Sequence, residues 1–182
     1  AAAEFAHSYA ASEGAVMVPP FHPELVRGVA SYGLELFDDI KGLDRVYVPV
    51  GMGSGICSLI AVRDALGLDT EIVGVVACGA DAVRQSFLAG KVINTPVADT
   101  FADGVACRSP DPRVIEIITK GAADIVAVSD DQIADAMRLY FSCCHTLAEG
   151  AGAVPLAAAI AERDRNIGKK VALVLTGANI DR

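Results

Sequence analysis

Apolar residues follow two alternating patterns along this chain. Residues 46–50, 70–77, 124–128 and 170–175 are nearly all apolar, which is typical of strands buried on both faces of a sheet. A shorter apolar run at residues 15–18 predicts a further strand that ends at two prolines. Such runs, alternating with helical segments, predict an α/β fold, a parallel twisted sheet with helices on both faces.

Between these runs, apolar residues recur at helical spacing. Ser129 and Gln132 occupy the two positions of a capping box and predict the start of one helix. His22 precedes Pro23 at the start of another. His22 is a candidate base, but no acid or nucleophile is paired with it in sequence, so a loop or capping role is favoured. The predicted helices cover residues 1–13, 23–39, 56–66, 79–89, 113–120, 133–144 and 154–163.

Composition and charge exclude several classes of function. The 182 residues are 53% hydrophobic, which is enough for one sizeable domain. A net charge of −8 argues against nucleic acid or an anionic membrane as partner, so an anionic ligand would have to be held by local donors. No apolar run is long enough to span a membrane, and the amino terminus has no signal-peptide pattern. The chain begins without Met inside a helical pattern, which indicates part of something longer.

The cysteines do not form a recognisable framework. There are five, two of them adjacent at Cys143 and Cys144, with no CxxC and no zinc spacing. The pattern predicts reduced, mostly buried thiols in a cytoplasmic protein.

A glycine-rich turn joins the apolar run at residues 46–50 to the helix at residues 56–66. Alternating glycines allow backbone N–H groups to converge on one point, and the following helix directs the positive end of its dipole there. This arrangement predicts a phosphate cradle. The alternative is a tight strand-to-helix turn that binds nothing, since neither a Rossmann nor a Walker pattern is present. The residues of the turn are Gly51, Met52, Gly53, Ser54 and Gly55.

Five motifs in order give the chain a family resemblance over essentially its whole length. It resembles the C-terminal part of the threonine dehydratase and serine racemase family, pyridoxal-phosphate enzymes of the tryptophan synthase β-like fold (fold type II). The motifs are VPVGMGSG at residues 48–55, FADGV at 101–105, DIVAVSDD at 124–131, AEGAGA at 148–153 and LTGANID at 175–181. The resemblance implies that residues 1–182 are most of the large domain of a longer two-domain enzyme, and it implies a homodimer.

The resemblance also implies roles for particular residues. The loop of residues 51–55 would hold the phosphate of pyridoxal 5'-phosphate, although Met52 and Ser54 depart from the usual tetraglycine. Ser54 could add a hydroxyl donor, and Met52 could narrow the entrance. Gly104 would lie against the cofactor ring, and Asp103 would lie near the substrate or cap a turn. Thr176 takes the place of the usual Ser whose hydroxyl meets the pyridine nitrogen, or it caps the turn.

A hydroxyl at position 176 has a mechanistic consequence. A carboxylate there would keep the pyridine nitrogen protonated, whereas the Thr176 hydroxyl supplies no such charge. The weaker electron sink suits prompt loss of water from a 3-hydroxy amino acid such as L-threonine or L-serine, with release of a 2-oxo acid and ammonia. Racemisation, or a specialised catabolic lyase reaction, remains open.

Two elements of the family pattern are missing. The divalent-cation ligands that some family members carry correspond to Val76 and Ala82, which cannot ligate a metal, so no such site is predicted. The Schiff-base lysine, which the family carries upstream in a Ser-x-Lys-x-Arg-Gly type of motif, is absent. The chain alone is therefore expected to be inactive, and a non-catalytic binding domain is a third interpretation. The lysines present are Lys41, Lys91, Lys120, Lys169 and Lys170.

Overall fold

The computed structural model describes residues 2–180, with side chains from Glu4 onward. Ala1, at the start of the first predicted helix, and Asp181, in the last motif, lie outside the described residues. Within that range the chain forms four strands, and all of their pairings are parallel. The strands are β1 (Arg45–Pro49), β2 (Glu71–Ala77), β3 (Asp124–Val128) and β4 (Val171–Leu173).

Helices cover both faces of this sheet, as the apolar pattern predicts. The order of the strands across the sheet is β3-β2-β1-β4, so β4 joins the side of β1 opposite β2. Capping is also as expected, because Ser129 and Gln132 form the capping box and His22 accepts a hydrogen bond from the Glu24 N–H. The helices are α1 (Ala2–Glu13), α2 (Pro23–Asp39), α3 (Ser54–Ala65), α4 (Ala82–Ala89), α5 (Pro112–Gly121), α6 (Asp130–Cys144) and α7 (Gly150–Ala161).

The core consists of two apolar layers separated by the sheet. Successive residues of β1 point to opposite faces, so Val46 and Val48 pack with Leu59 of α3, while Tyr47 packs on the other side with Val154 of α7. All five side chains are fully buried. The two layers fix α3 and α7 on opposite faces of the same strand, which determines what surrounds its carboxyl end.

The strand predicted at residues 15–18 does not form. Val16 is 90% exposed and Val18 is 66% exposed, and neither lies in an element. A strand needs a neighbouring strand for its backbone groups, and none of the strand pairings among the described residues includes this run. An apolar run of four residues is too short to identify a strand.

The second glycine-rich segment is part of a helix. The sequence predicts a turn at residues 149–153 and a helix from residue 154, but α7 already begins at Gly150. The glycines serve close packing inside the helix: a Cβ on Gly152 would lie 2.7 Å from the Gly177 carbonyl oxygen. The last strand is also shorter than predicted, with three residues in the ladder.

The cysteines are less buried than the sequence predicts. Within the described chain none of the five forms a disulfide, but only Cys57 and Cys107 are buried. Cys78, Cys143 and Cys144 are exposed, because they lie where a strand and a helix end. Among residues 2–180 no helix is long and apolar enough to cross a membrane.

Candidate functional site

A cavity of about 500 Å³ opens at the carboxyl ends of β1 and β4. The two strands are paired, with Tyr47 opposite Leu173, so the segments that follow them emerge side by side. The strands β2 and β4 lie on opposite sides of β1. The connections that follow β1 and β4 therefore diverge, and a crevice forms between them at the carboxyl ends of the strands. The cavity wall includes the five residues of the glycine loop, Gly104, Glu149, Ala151 and Thr176.

The glycine loop presents backbone donors without acceptors. Gly53 has a left-handed φ of 92° and caps α3, which begins at Ser54. Within the described part of the chain, no oxygen accepts a hydrogen bond from the N–H groups of residues 51–56. The first acceptor-bound N–H is that of Cys57, which donates to the Gly53 carbonyl. Unpaired N–H groups at a helix amino terminus form an anion-binding site.

At two positions of the glycine loop, neighbouring atoms leave no space for a side chain. A Cβ on Gly51 would overlap the carbonyl of Gly104, and a Cβ on Gly53 would overlap the side chain of Val114. Gly55 is different, since its nearest neighbours would be the Tyr32 hydroxyl and Val48, both at 3.8 Å. Packing therefore fixes the beginning of the loop, but it leaves space around its last glycine.

Gly104 connects the glycine loop to α7. It lies in a 3₁₀ turn at Asp103–Val105 and lines the cavity. A Cβ at this position would lie 2.7 Å from the Cβ of Ala151, so the close approach to α7 excludes a side chain. Asp103 is exposed and is not part of the cavity wall.

Thr176 lies on the wall formed by the segment after β4. Thr176 is exposed and lines the same cavity as residues 51–55. The backbone of this segment is held by Glu149, whose N–H donates to the Gly177 carbonyl at 3.1 Å and whose carboxylate accepts from the Asn179 N–H at 3.1 Å. A side chain on Gly177 would lie 2.7 Å from that carboxylate.

Two residues of the cavity wall were missed as site residues by sequence reasoning. Glu149 is the N-cap of α7, and its carboxylate also holds the Thr176 segment. Tyr32 had no signal, because it lies in an amphipathic helix far from the glycine loop in sequence. Its hydroxyl donates to the Gly55 carbonyl at 2.9 Å, and burial raises the pKa of Tyr32 to about 12.

The described cavity wall contains neither a lysine nor a metal-binding cluster. None of the five lysines lines it; Lys41, Lys120 and Lys169, for example, pair with Asp38, Glu116 and Glu71 away from the cavity. Val76 and Ala82 are fully buried apolar residues. Among the described residues, no group of three or more His, Cys, Asp or Glu side chains could hold a metal ion.

The chemistry of the cavity fits a phosphorylated aromatic cofactor. One wall offers unpaired N–H donors and the Ser54 hydroxyl, which suit a phosphate. Another wall carries the Thr176 hydroxyl, which suits a ring nitrogen. Glycine at position 104 leaves the wall between them without a side chain.

Comparisons with known proteins agree with this chemistry. The family described as pyridoxal-phosphate dependent enzyme matches residues 1–177. An L-threonine ammonia-lyase of Thermotoga maritima is 34% identical over 169 residues, which cover 92% of this chain and 42% of that protein. A serine racemase of Schizosaccharomyces pombe is 26% identical over 170 residues, which cover 93% of this chain and 53% of that protein. The chain thus spans about half the length of the relatives it matches.

Solved structures show the same similarity. A crystal structure of threonine deaminase from T.th. superposes with a TM-score of 0.90 at 30% identity, covering 96% of this chain and 66% of that one. Maize serine racemase superposes with a TM-score of 0.88 at 26% identity, covering 94% and 54%. The chain therefore belongs to the pyridoxal-phosphate-dependent enzyme family, and its parallel sheet is that of the fold type II members.

Proposed function

We propose that this chain is the cofactor-phosphate-binding portion of a pyridoxal-phosphate-dependent ammonia-lyase. The reaction would remove water from a 3-hydroxy amino acid and release a 2-oxo acid and ammonia. The observation that carries the proposal is one cavity that joins the unpaired N–H groups of residues 51–56 to Thr176. The similarity to proteins named threonine ammonia-lyase and threonine deaminase supports the reaction class.

The glycine loop would bind the phosphate. N–H groups of residues 51–56 and the positive end of the α3 dipole favour an anion at this point. Ser54 is the first residue of α3 and adds a hydroxyl donor to the same wall. Met52 lines the cavity with 37% of its surface exposed, a position from which it would narrow the entrance.

Thr176 would orient the cofactor ring. Bound pyridoxal phosphate supplies the electron sink on which loss of a leaving group depends. The Thr176 hydroxyl would donate a hydrogen bond to the ring nitrogen but would not hold a proton there as a carboxylate would. This weaker sink favours prompt elimination over transamination. Glu149 would keep the Thr176 segment in position through its hydrogen bond to Asn179.

Gly104 and Asp103 would serve the remaining wall. Gly104 would lie beside the ring, in space that a side chain cannot share with Ala151. Asp103 is the adjacent residue, but it is exposed and does not line the cavity. A contact between Asp103 and substrate would therefore have to form at the rim of the cavity.

The lysine that attaches the cofactor covalently would come from outside this chain. None of the five lysines lines the cavity, and the chain spans about half of the length of its relatives. Residues 1–182 would accordingly be most of the large domain of a two-domain enzyme, inactive alone. The free thiols fit a cytoplasmic protein, and the family resemblance implies a homodimer.

Binding of pyridoxal phosphate to the 182-residue chain tests this function. We expect amide signals of residues 51–56 to shift on titration, inorganic phosphate to compete, and no absorption band typical of cofactor bound covalently to an amine. Ser54→Ala should weaken binding several-fold, because one hydroxyl donor is lost. Ser142→Ala, at the exposed end of α6, should not. Unchanged loop amides in the wild type would refute the proposal.

A racemase of the same family is the second candidate. The match to serine racemases from fission yeast and maize favours it, and a hydroxyl at Thr176 is compatible with either reaction. A protein that contains this chain together with an upstream Ser-x-Lys-x-Arg-Gly segment should convert L-threonine or L-serine mainly to a 2-oxo acid. Predominant formation of D-serine would establish the racemase instead.

A non-catalytic binding domain is the third candidate. It is favoured by the lack of a lysine in the cavity wall of the described chain. The gene upstream of Ala1 separates this candidate from the enzymes. An in-frame segment with the lysine motif supports an enzyme, whereas a start codon immediately upstream of Ala1 would support the binding domain.

A further inference from the structure

We infer that Tyr32 is a positioning residue for the glycine loop, a role that rests on the function proposed above. Its hydroxyl fixes the Gly55 carbonyl and with it the first turn of α3. The N–H groups that would meet the cofactor phosphate are thereby held in one arrangement before the ligand arrives.

The hydrogen bond connects two helices that are far apart in sequence. Tyr32 belongs to α2, and its hydroxyl donates to the Gly55 carbonyl at 2.9 Å. The Ser58 hydroxyl of α3 donates to the same oxygen at 2.7 Å. Two hydroxyl donors on one carbonyl hold the peptide unit between Gly55 and Ile56 from two directions.

Close packing of α2 gives this bond a rigid base. Gly33 is buried beside α3, where an added Cβ would lie 3.3 Å from the Leu59 side chain. Phe37, one turn further along α2, is also buried in the core. The backbone of α2 therefore cannot move away from α3 without opening the core, and the Tyr32 ring is held beside the loop.

Gly55 is the loop glycine that needs such a constraint. Overlap with Gly104 and Val114 fixes the loop at Gly51 and Gly53, but outside the adjacent backbone of α3 no described atom lies closer than 3.8 Å to the Cβ position of Gly55. A glycine without packing neighbours retains much backbone freedom. If the backbone of Gly55 is already fixed before the ligand binds, less conformational entropy is lost on binding and the affinity is higher.

The phenol is well suited to stay neutral beside an anion. Burial raises the pKa of Tyr32 to about 12, although the nearby Ser58 hydroxyl acts in the opposite direction. The hydroxyl therefore keeps its proton near neutral pH and remains a donor to the Gly55 carbonyl. A phenolate at this wall would repel the phosphate.

Tyr32→Phe in the 182-residue chain tests the inference, with Tyr140→Phe in α6 as a matched half-buried control. Pyridoxal phosphate is titrated while loop amides are followed by NMR. We expect Tyr32→Phe to raise the dissociation constant about tenfold, as for loss of one hydrogen bond that organises a site. Its Gly55 carbonyl carbon should shift upfield and the loop amides should exchange faster, with the melting temperature nearly unchanged. Tyr140→Phe should change none of these.

The possible results separate two failures. If wild-type loop amides ignore pyridoxal phosphate, the proposed function fails and this inference with it. If the wild type responds and Tyr32→Phe binds equally well, only the role of Tyr32 is refuted. A lower melting temperature with unchanged affinity would show a purely structural role and overturn the inference. Should Tyr32→Phe not fold, Ser58→Ala removes the second donor to the same oxygen and should weaken binding about threefold.

Discussion

Polar groups are paired with one another at the amino end of the sheet, whereas N–H donors of the described chain are left unpaired at its carboxyl end. At the amino end, Arg45 is 3% exposed and binds Glu71 at 2.6 Å, while the Tyr47 hydroxyl donates to Glu162 at 2.7 Å. At the carboxyl end, the N–H groups of residues 51–56 have no acceptor within the described chain. Polar groups that satisfy one another stabilise the fold, whereas donors left unpaired at a cavity are available to a ligand.

Arg45→Met should have the largest effect on stability. Its removal leaves Glu71 and Glu162 without their buried cation and costs about 3 kcal/mol of unfolding free energy. Urea denaturation measures the loss. The dissociation constant for pyridoxal phosphate should stay within about twofold, because the cavity lies at the other end of the strand.

An exposed ion pair provides the control for this prediction. Arg138 pairs with Asp135 on the surface of α6, where both side chains are 74% exposed. Arg138→Met should therefore lower stability by less than about 0.5 kcal/mol. Equal losses for the two variants would show that the buried network at the amino end has no special role.

Gly53→Ala should affect both stability and binding. The left-handed backbone disfavours a side chain, and the new Cβ would overlap Val114, so we expect a loss of about 2 kcal/mol or more. Displacement of the α3 cap should also weaken phosphate binding at least about tenfold. Gly90→Ala is the control, because Gly90 also has a left-handed φ, of 63°, but has open space around its Cβ position. It should cost about 1 kcal/mol and leave phosphate binding intact.

Thr176→Val should distinguish the two walls of the cavity. It removes the hydroxyl proposed to meet the ring nitrogen but leaves the glycine loop unchanged. Affinity for pyridoxal phosphate should fall about three- to tenfold, in line with the loss of one hydrogen bond. Affinity for inorganic phosphate should not change. Calorimetric titration measures both affinities. An equal loss of affinity for pyridoxal phosphate and for inorganic phosphate would show that the substitution acts on the glycine loop instead.

The smallest expected effect is on stability at acidic pH, which depends on the paired groups at the amino end of the sheet. The hydrogen bond from Arg45, opposed by burial and aided by Lys169, lowers the pKa of Glu71. Because this pKa is lower in the folded state, the stabilisation is present above the unfolded pKa of about 4.3 and is lost as pH falls through the folded value. Glu71→Gln should flatten the fall of unfolding free energy below about pH 4.3. Arg45→Met should flatten it less, because Lys169 still pairs with Glu71 at 3.1 Å.

Much of this architecture could be predicted from the sequence. Runs such as residues 70–77 are nearly all apolar, which predicted strands covered on both faces, and the glycine turn was predicted at a strand end. Ser129 and Gln132 act through neighbouring backbone groups, so their capping box was also predictable. Strand order is not encoded locally, so the local pattern could not place Thr176 beside the glycine loop. Only the family resemblance, which assigns both to one cofactor, implied that they lie close together.

The remaining features depend on contacts between distant segments. No local pattern could show that Tyr32 would meet Gly55, because the contact depends on how closely α2 approaches α3. Gly150 was predicted to lie in a glycine-rich turn, but it begins α7, because tertiary packing overrides the low helix propensity of glycine. Val16 and Val18 are apolar without being buried, which composition alone cannot distinguish.

The place of β4 beside β1 has a consequence for synthesis on the ribosome. The glycine loop leaves the exit tunnel long before the segment that carries Thr176, although the two form one cavity. A nascent chain can bury the contacts between α2 and α3 early, but it cannot complete the cavity wall until β4 and the segment after it have been translated. Newly made molecules would thus be able to bind the proposed cofactor only after that late segment has emerged.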